Sequence, residues 1–288
     1  MNLRLLVSFM VVSTSLPLSP PAFIKSHMSS LPSSLQPTSV YTCIHSSSNK
    51  TLSGLPFHLA RLAQSTALQR SINNLPPLPV EIISQTTAAT LLTLNQLPPH
   101  PNPHTMVTIL WQSPTPDTLT SHVHTTPLSP PPPATTIILS PTLASRSTPS
   151  TCALSKHCSW LNSRAPYDSL KEIKTPLPLA DIIMCDSAGD PLEGLTSNLF
   201  AISNGTLYTR LGDDVLNGYV RDVILNHFKD VRMLTREILT RSDEVFVTNS
   251  GSGVRQIGIV MDSNKDVLWT ATEMHNNVLA KVRTCLLL

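Results

Sequence analysis

Acidic residues are nearly missing from the first half of this chain. None precedes Glu81, and only four of the 18 (Glu81, Asp117, Asp168 and Glu172) fall before residue 180. The overall balance is nonetheless even, at +2, which argues against a nucleic-acid surface and against a site that gathers acidic ligands by its field. Paired cysteine spacing is also lacking. The five cysteines (Cys43, Cys152, Cys158, Cys185 and Cys285) are odd in number and form no CxxC. Neither a disulfide framework nor a metal centre is expected, and a reducing compartment is favoured. No run approaches the roughly 20 apolar residues that a membrane-crossing helix needs, so no membrane partner is expected. Internal repeats are absent.

Proline divides what remains. Of 26 prolines, all but Pro191 lie at or before Pro178, so the first half drifts toward a Pro/Ser/Thr composition. The opening MNLRLLVSFMVVSTSLPLSPPA has three readings: a secretory signal, a Ser-rich and acid-poor organelle transit peptide, or a first strand over Leu5–Val12. The expected location is the cytoplasm, or an organelle under the second reading. The sequons at Asn49 and Asn204 matter only for a secreted chain. FHLARLAQSTAL, with Phe57, Leu59, Leu62, Ala63 and Leu68 close to helical spacing after Pro56, predicts a helix. VEIISQTTAATLLTLNQL predicts another, and MVTILW and TTIILS read as strands. Pro127 to Pro133 fits an extended linker between a small domain over 1–126 and a larger one over 134–288.

The second half has firmer patterns. DIIMCD is a short strand turned back at Asp186, Ala188 and Gly189. NLFAIS and TLYT flank Asn204-Gly205, the strongest short-range signal for a type I′ hairpin. VRDVILNHFKDV carries Val220, Val223, Ile224, Phe228 and Val231 on one helical stripe. EVFVTNS and VRQIGIV are strands joined through Gly251-Ser252-Gly253, and the tail predicts a capping helix through Val278, Leu279, Val282 and Leu286. Alternating strands and helices indicate a mixed α/β fold.

LEGLTSNLF, NGTLYT, VLNGYVRDVIL and EVFVTNSGSG together resemble the core of the class IV pyridoxal-phosphate enzymes, which include branched-chain and D-amino-acid aminotransferases and aminodeoxychorismate lyase. The likeness runs from about Lys156 to Ile259, with a weaker echo in Val40 to Ser65. It implies a two-domain α/β fold, a small N-terminal α/β domain and a larger barrel-like C-terminal one, a homodimer, and pyridoxal 5′-phosphate in the cleft between the domains. It also implies an aminotransferase acting on an amino acid and a 2-oxo acid. A lyase with the same cofactor, a decayed homologue that only binds, and a secreted Ser/Pro-rich interaction protein are the alternatives.

The resemblance also implies roles. Glu193 matches the carboxylate that keeps the pyridine nitrogen protonated; otherwise it is a turn carboxylate. Lys156, in SKHCSW, matches the amine that bonds the cofactor and carries the proton, and it is expected on a strand entering the large domain; otherwise it is a solvated loop lysine. Phosphate falls to Gly218, Tyr219 and Val220 at a helix N-terminus, to Ser250 and Gly251 in a loop, and to Arg61. Arg61 could equally be the polar face of its helix. Asn198, Arg221, His157 and Cys158 are read as structural. The chain departs from the family pattern at Tyr219 and Val220, where the family has Ile and Thr, at Leu195, where a small residue is commoner, and at Trp160.

Overall fold

The computed structural model describes residues 39–47, 51–97, 104–130, 134–140, 153–168 and 173–271, with residues 102, 132, 170, 280, 282 and 284 besides. The three readings of the N-terminal 22 residues, and most of the predicted helical tail, lie outside these. Of that tail, residues 280, 282 and 284 are helical. Among the described residues no helix is long and apolar enough to cross a membrane.

Two sheets organise the chain. The first is formed by β1 (Val40–Ser46), β2 (Thr105–Gln112) and β3 (Thr120–Pro127) in the order β1-β2-β3, all antiparallel. Between β1 and β2 the chain forms α1 (Leu55–Ile72) and α2 (Val80–Gln96). One sheet face is apolar: Val40, Ile44, Val107, Ile109 and Trp111 alternate along β1 and β2 and pack with Leu62 of α1 and Leu94 of α2. Both helices form where the spacing predicts, but their buried faces are more polar than that spacing suggests. On α1 the buried stripe is His58, Arg61, Leu62, Ser65, Thr66, Gln69 and Arg70. Arg70 donates to the carbonyls of Pro76 and Pro116 at 2.7 Å each. On α2 the buried residues are Thr86, Thr90 and Leu94, and Trp111 Nε1 donates to Thr90 Oγ1 at 3.1 Å.

Strand β3 was not expected. It runs through TSHVHTTP, and its final residue, Pro127, stood at the head of the predicted linker. Residues 128–134 then lead to the second sheet, beginning with β4 (Thr135–Ser140) and continuing, after α3 (Ser159–Asp168), with β5 (Leu179–Cys185), β6 (Pro191–Gly194), β7 (Asn198–Ser203) and β8 (Thr206–Thr209). Helix α4 (Tyr219–His227), β9 (Val231–Met233), the short α5 (Arg236–Leu239), β10 (Glu244–Asn249), β11 (Gly253–Asp262) and β12 (Val267–Thr270) complete it. Strand order is β10-β11-β4-β5-β6-β7-β8-β9, and β10 also pairs with β7, so β4, β5, β6, β7, β10 and β11 close into a barrel.

Period-two alternation divides each barrel strand between two faces. Leu199, Ala201, Val245 and Val247 join Ile137, Ile183 and Ile257 in one core. Phe200, Ile202 and Phe246 point to the opposite face, where α4 packs Val220 and Ile224 on them and Val282 joins. Phe200 and Phe246, paired in register, stack at 5.1 Å. The predicted type I′ hairpin is present, with Asn204 at φ 49° and Gly205 at φ 74°. The predicted stripe on α4 is shortened: the helix ends at His227, and Val231 starts β9, paired in parallel with Leu207. Three residues cannot continue a helix once their backbone groups are taken up by a strand edge.

Candidate active site

The face of the barrel beneath α4 carries a short polar row. Glu193 on β6 pairs in register with Asn198 on β7, and Asn198 pairs with Thr248 on β10. All three are buried, at 1%, 6% and 1% exposure. Such groups are tolerated inside only when they are hydrogen-bonded or await a ligand. Glu193 Oε2 accepts from Leu216 N at 3.2 Å and from Asn198 Nδ2 at 3.4 Å, and Asn198 Nδ2 donates to Leu216 O at 2.8 Å. Thr248 Oγ1, by contrast, has no hydrogen-bond partner.

Beside this row the chain turns into α4. Gly218 is its N-cap and supplies no side-chain cap, so the first-turn amides of Tyr219 and Val220 lack an intrahelical acceptor. A Cβ at Gly218 would meet Asn198 Oδ1 at 2.6 Å, so only glycine lets the helix start this close to the row. Val220 sends its side chain into the apolar cluster, leaving its amide as its polar contribution. The Tyr219 ring packs against Phe57 and His58, with centroids 5.6 and 5.4 Å apart, and lies over Gly54.

Arg61 reaches the same place from α1. It is 6% exposed, on the buried stripe and not on a solvated face. Nη1 donates to Asn217 O at 3.4 Å, and Nη2 donates to Thr42 Oγ1 at 2.7 Å and faces His58 Nδ1 at 3.1 Å. These three acceptors are neutral. A guanidinium, two helix-start amides and a buried hydroxyl are the chemistry of a phosphate ester site, and a buried carboxylate suits a protonated ring nitrogen. The residues therefore fit pyridoxal phosphate. Among the described residues no group of three or more His, Cys, Asp or Glu side chains could hold a metal ion.

Lys156 does not lie on a strand of the large sheet, as expected, but in a loop docked on β1. The edges of β5 are already filled by β4 and β6. The loop instead bonds to β1: Tyr41 N donates to Lys156 O at 2.9 Å, and His157 bridges Val40. Lys156 N also donates to Ser65 Oγ of α1 at 3.2 Å, and Nζ stands over the Tyr41 ring, 5.0 Å from its centroid. Trp160, at the start of α3, donates from Nε1 to Leu195 O at 3.1 Å and packs on Leu192 and Leu195. Two of the departures from the family pattern, Leu195 and Trp160, thus touch each other and tie the lysine segment to the Glu193 loop.

Ser250 and Gly251 lie in the turn from β10 to β11. The Gly251 amide, expected to face an anion, is taken by Asn249 Oδ1 at 3.0 Å, as is that of Ser252 at 2.8 Å. A short Asn side chain folded onto the following amides outcompetes a distant ligand. Arg221 donates to Thr209 Oγ1 and to Arg210 O.

Three polar residues escaped the sequence reading. Asp181, fully buried on β5, accepts from Thr196 N, Thr196 Oγ1 and Ser197 Oγ at 2.8–2.9 Å and so shapes the loop after Glu193. Its signal is an acid inside an otherwise apolar strand. Thr248 has the same kind of signal, a hydroxyl at an inward position of EVFVTN. His58, fully buried one turn before Arg61, is pushed down to about 2 by burial and by the charges of Arg61 and Lys156.

Residues 39–260 match the family described as Amino-transferase class IV. The chain belongs to that family. The family is pyridoxal-phosphate-dependent, and the mixed α/β architecture is the one its members share. A probable branched-chain-amino-acid aminotransferase of Rickettsia felis is 30% identical over 105 residues, 34% of this chain and 36% of that protein. Its counterpart in Rickettsia conorii is 29% identical over 107 residues, 35% and 37% of the two chains. The matched stretch therefore spans only a little over a third of those relatives. Among solved structures, the branched-chain amino acid aminotransferase of Escherichia coli superposes with a TM-score of 0.63 at 20% identity, covering 85% of this chain and 83% of that one. A putative 4-amino-4-deoxychorismate lyase from Legionella pneumophila gives 0.62 at 20% identity, with 90% and 96% covered.

Proposed function

We propose that this chain is a pyridoxal-phosphate-dependent aminotransferase that moves an amino group between an amino acid and a 2-oxo acid. The observation that carries the proposal is the buried row Glu193–Asn198–Thr248 beneath the start of α4, with Arg61 at that start. The bound cofactor supplies an electron-poor ring that takes up charge from the substrate Cα. Glu193 holds the proton on the ring nitrogen, and its anchoring by Leu216 N and Asn198 keeps it from swinging away. Arg61 and the amides of Tyr219 and Val220 bind the phosphate, Gly218 allows the close approach, and Ser250 adds a hydroxyl at the rim. Lys156 is the amine that bonds the cofactor covalently. As a free amine it would carry the proton from the substrate Cα to the cofactor carbon that keeps the amino group. The two sheets act as a small and a large domain, and the active form is a homodimer.

The test is spectroscopic and then chemical. Protein supplied with pyridoxal phosphate should show the absorbance band of a lysine-linked cofactor, and Lys156→Ala should abolish it. Borohydride reduction followed by peptide mapping should label Lys156. A branched-chain amino acid with 2-oxoglutarate should give glutamate. Pyruvate released from aminodeoxychorismate instead would make the chain a lyase, and a band with neither product would make it a binder. Label on another lysine, or no band at all, overturns the proposal.

A further inference from the structure

We infer that His58 is the positioning residue for Arg61: its neutral ring, protonated on Nε2, offers the Nδ1 lone pair to the guanidinium and fixes the direction of its charge. The inference rests on reading Arg61 as the phosphate cation.

The geometry assigns the proton. A guanidinium has donors only, so Nδ1, 3.1 Å from Arg61 Nη2, must be the accepting nitrogen and the ring hydrogen sits on Nε2. Thr42 Oγ1 lies 2.7 Å from both Nη2 and Nδ1. It receives a hydrogen from the arginine and turns its own onto the imidazole. Arginine, threonine and histidine thus form a closed triangle drawn from α1 and β1, in which the one Nδ1 lone pair is shared between the Thr42 hydroxyl at 2.7 Å and the guanidinium at 3.1 Å. A second proton on the ring would set an N–H against the guanidinium and break it. The groups around the ring oppose that proton: Arg61 from the same helix and Lys156 from the loop are both cations, while Tyr219 of α4 and Thr42 of β1 are neutral. Burial and those two charges hold the imidazole neutral, its pKa pushed down to about 2.

Nε2 supplies an independent observation. It is buried and has no hydrogen-bond partner. An apolar side chain would fill the same fully buried position without stranding a donor. Keeping an imidazole there makes sense if the opposite edge of the ring has work to do, and the partners on that edge are Arg61 and Thr42.

The experiment measures affinity, not turnover. Cofactor-free protein is titrated with pyridoxal phosphate and with pyridoxal, which lacks the phosphate, and ring absorbance is followed. Arg61→Ala should weaken the phosphorylated ligand roughly 30-fold and leave pyridoxal unchanged. His58→Leu, which removes the acceptor, should weaken it roughly tenfold with the same selectivity, about one decade of a dissociation constant. His58→Asn, which keeps an oxygen near the Nδ1 position, should restore it to within about threefold, whereas His58→Gln, whose amide falls nearer Nε2, should not. If His58→Leu changes neither ligand, or both alike, the inference fails while a selective Arg61→Ala result leaves the cofactor site intact. An Arg61→Ala protein that binds both ligands normally removes the site and this inference with it. Should His58→Leu not fold, the Asn and Gln variants decide, and equal affinities overturn the inference. A nitrogen-15 spectrum showing the proton on Nδ1 would do so as well.

Discussion

Glu193 and Asp181 are buried acids a few residues apart in space, and their surroundings give them different work. Asp181 turns both carboxylate oxygens to the chain, with Ile182 N on Oδ1 and Thr196 and Ser197 on Oδ2. A carboxylate used in that way is a brace. Glu193 is held through Oε2 by one amide of the backbone and one side-chain amide, and it faces the start of α4. Glu193→Gln keeps the shape and an oxygen for Leu216 N but removes the charge. Single-turnover transfer should slow by about 100-fold, or about 2.7 kcal/mol in the barrier, with the urea midpoint held or raised. A fall in the midpoint with normal transfer would instead make Glu193 a second brace.

The turns that connect the strands separate stability from binding in the same manner. Gly205 sits at φ 74° with nothing within 4 Å of an added Cβ, whereas Gly218 has an ordinary φ but would drive a Cβ into Asn198 Oδ1. Gly205→Ala should therefore lower stability by about 1 kcal/mol through backbone strain and leave the cofactor dissociation constant alone. Gly218→Ala should weaken cofactor binding at least about tenfold, because Asn198 must leave Leu216 and Glu193; parallel melting and titration experiments read both. The Gly205 hairpin was legible in the sequence because Asn-Gly between apolar runs has one favoured geometry. The barrel strands were legible for a similar reason, as short apolar runs bounded by turn formers. Strand β3 was not: in TSHVHTTP the only aliphatic residue apart from proline is Val123, and both faces of an edge strand can be polar. Nor was the polar stripe of α1, since His58, Arg61, Ser65 and Gln69 are buried by partners that pattern alone does not reveal. The docking of the Lys156 loop on β1 depends on which strand edges are already occupied, and that is settled only when the whole sheet is assembled.

The proposed site belongs to neither sheet alone. Arg61 and His58 stand on α1 over the first sheet, and Glu193, Asn198 and Gly218 stand on the barrel. The lysine segment bonds to β1 at one end and, through Trp160, to the Glu193 loop at the other. A ligand gripping all of these must stabilise the junction between the sheets, since any opening there breaks its contacts. Binding to the native state alone adds about 2.7 kcal/mol at 100 times the dissociation constant, which for a chain of this size raises the melting temperature by about 5 °C or more. Calorimetry with pyridoxal phosphate should show one cooperative transition moving upward, and in Lys156→Ala a smaller shift, because the phosphate and ring contacts survive the loss of the covalent bond. Two transitions of which only one moves would mean that the ligand is held by a single sheet, and the assembly of the site across both would be wrong.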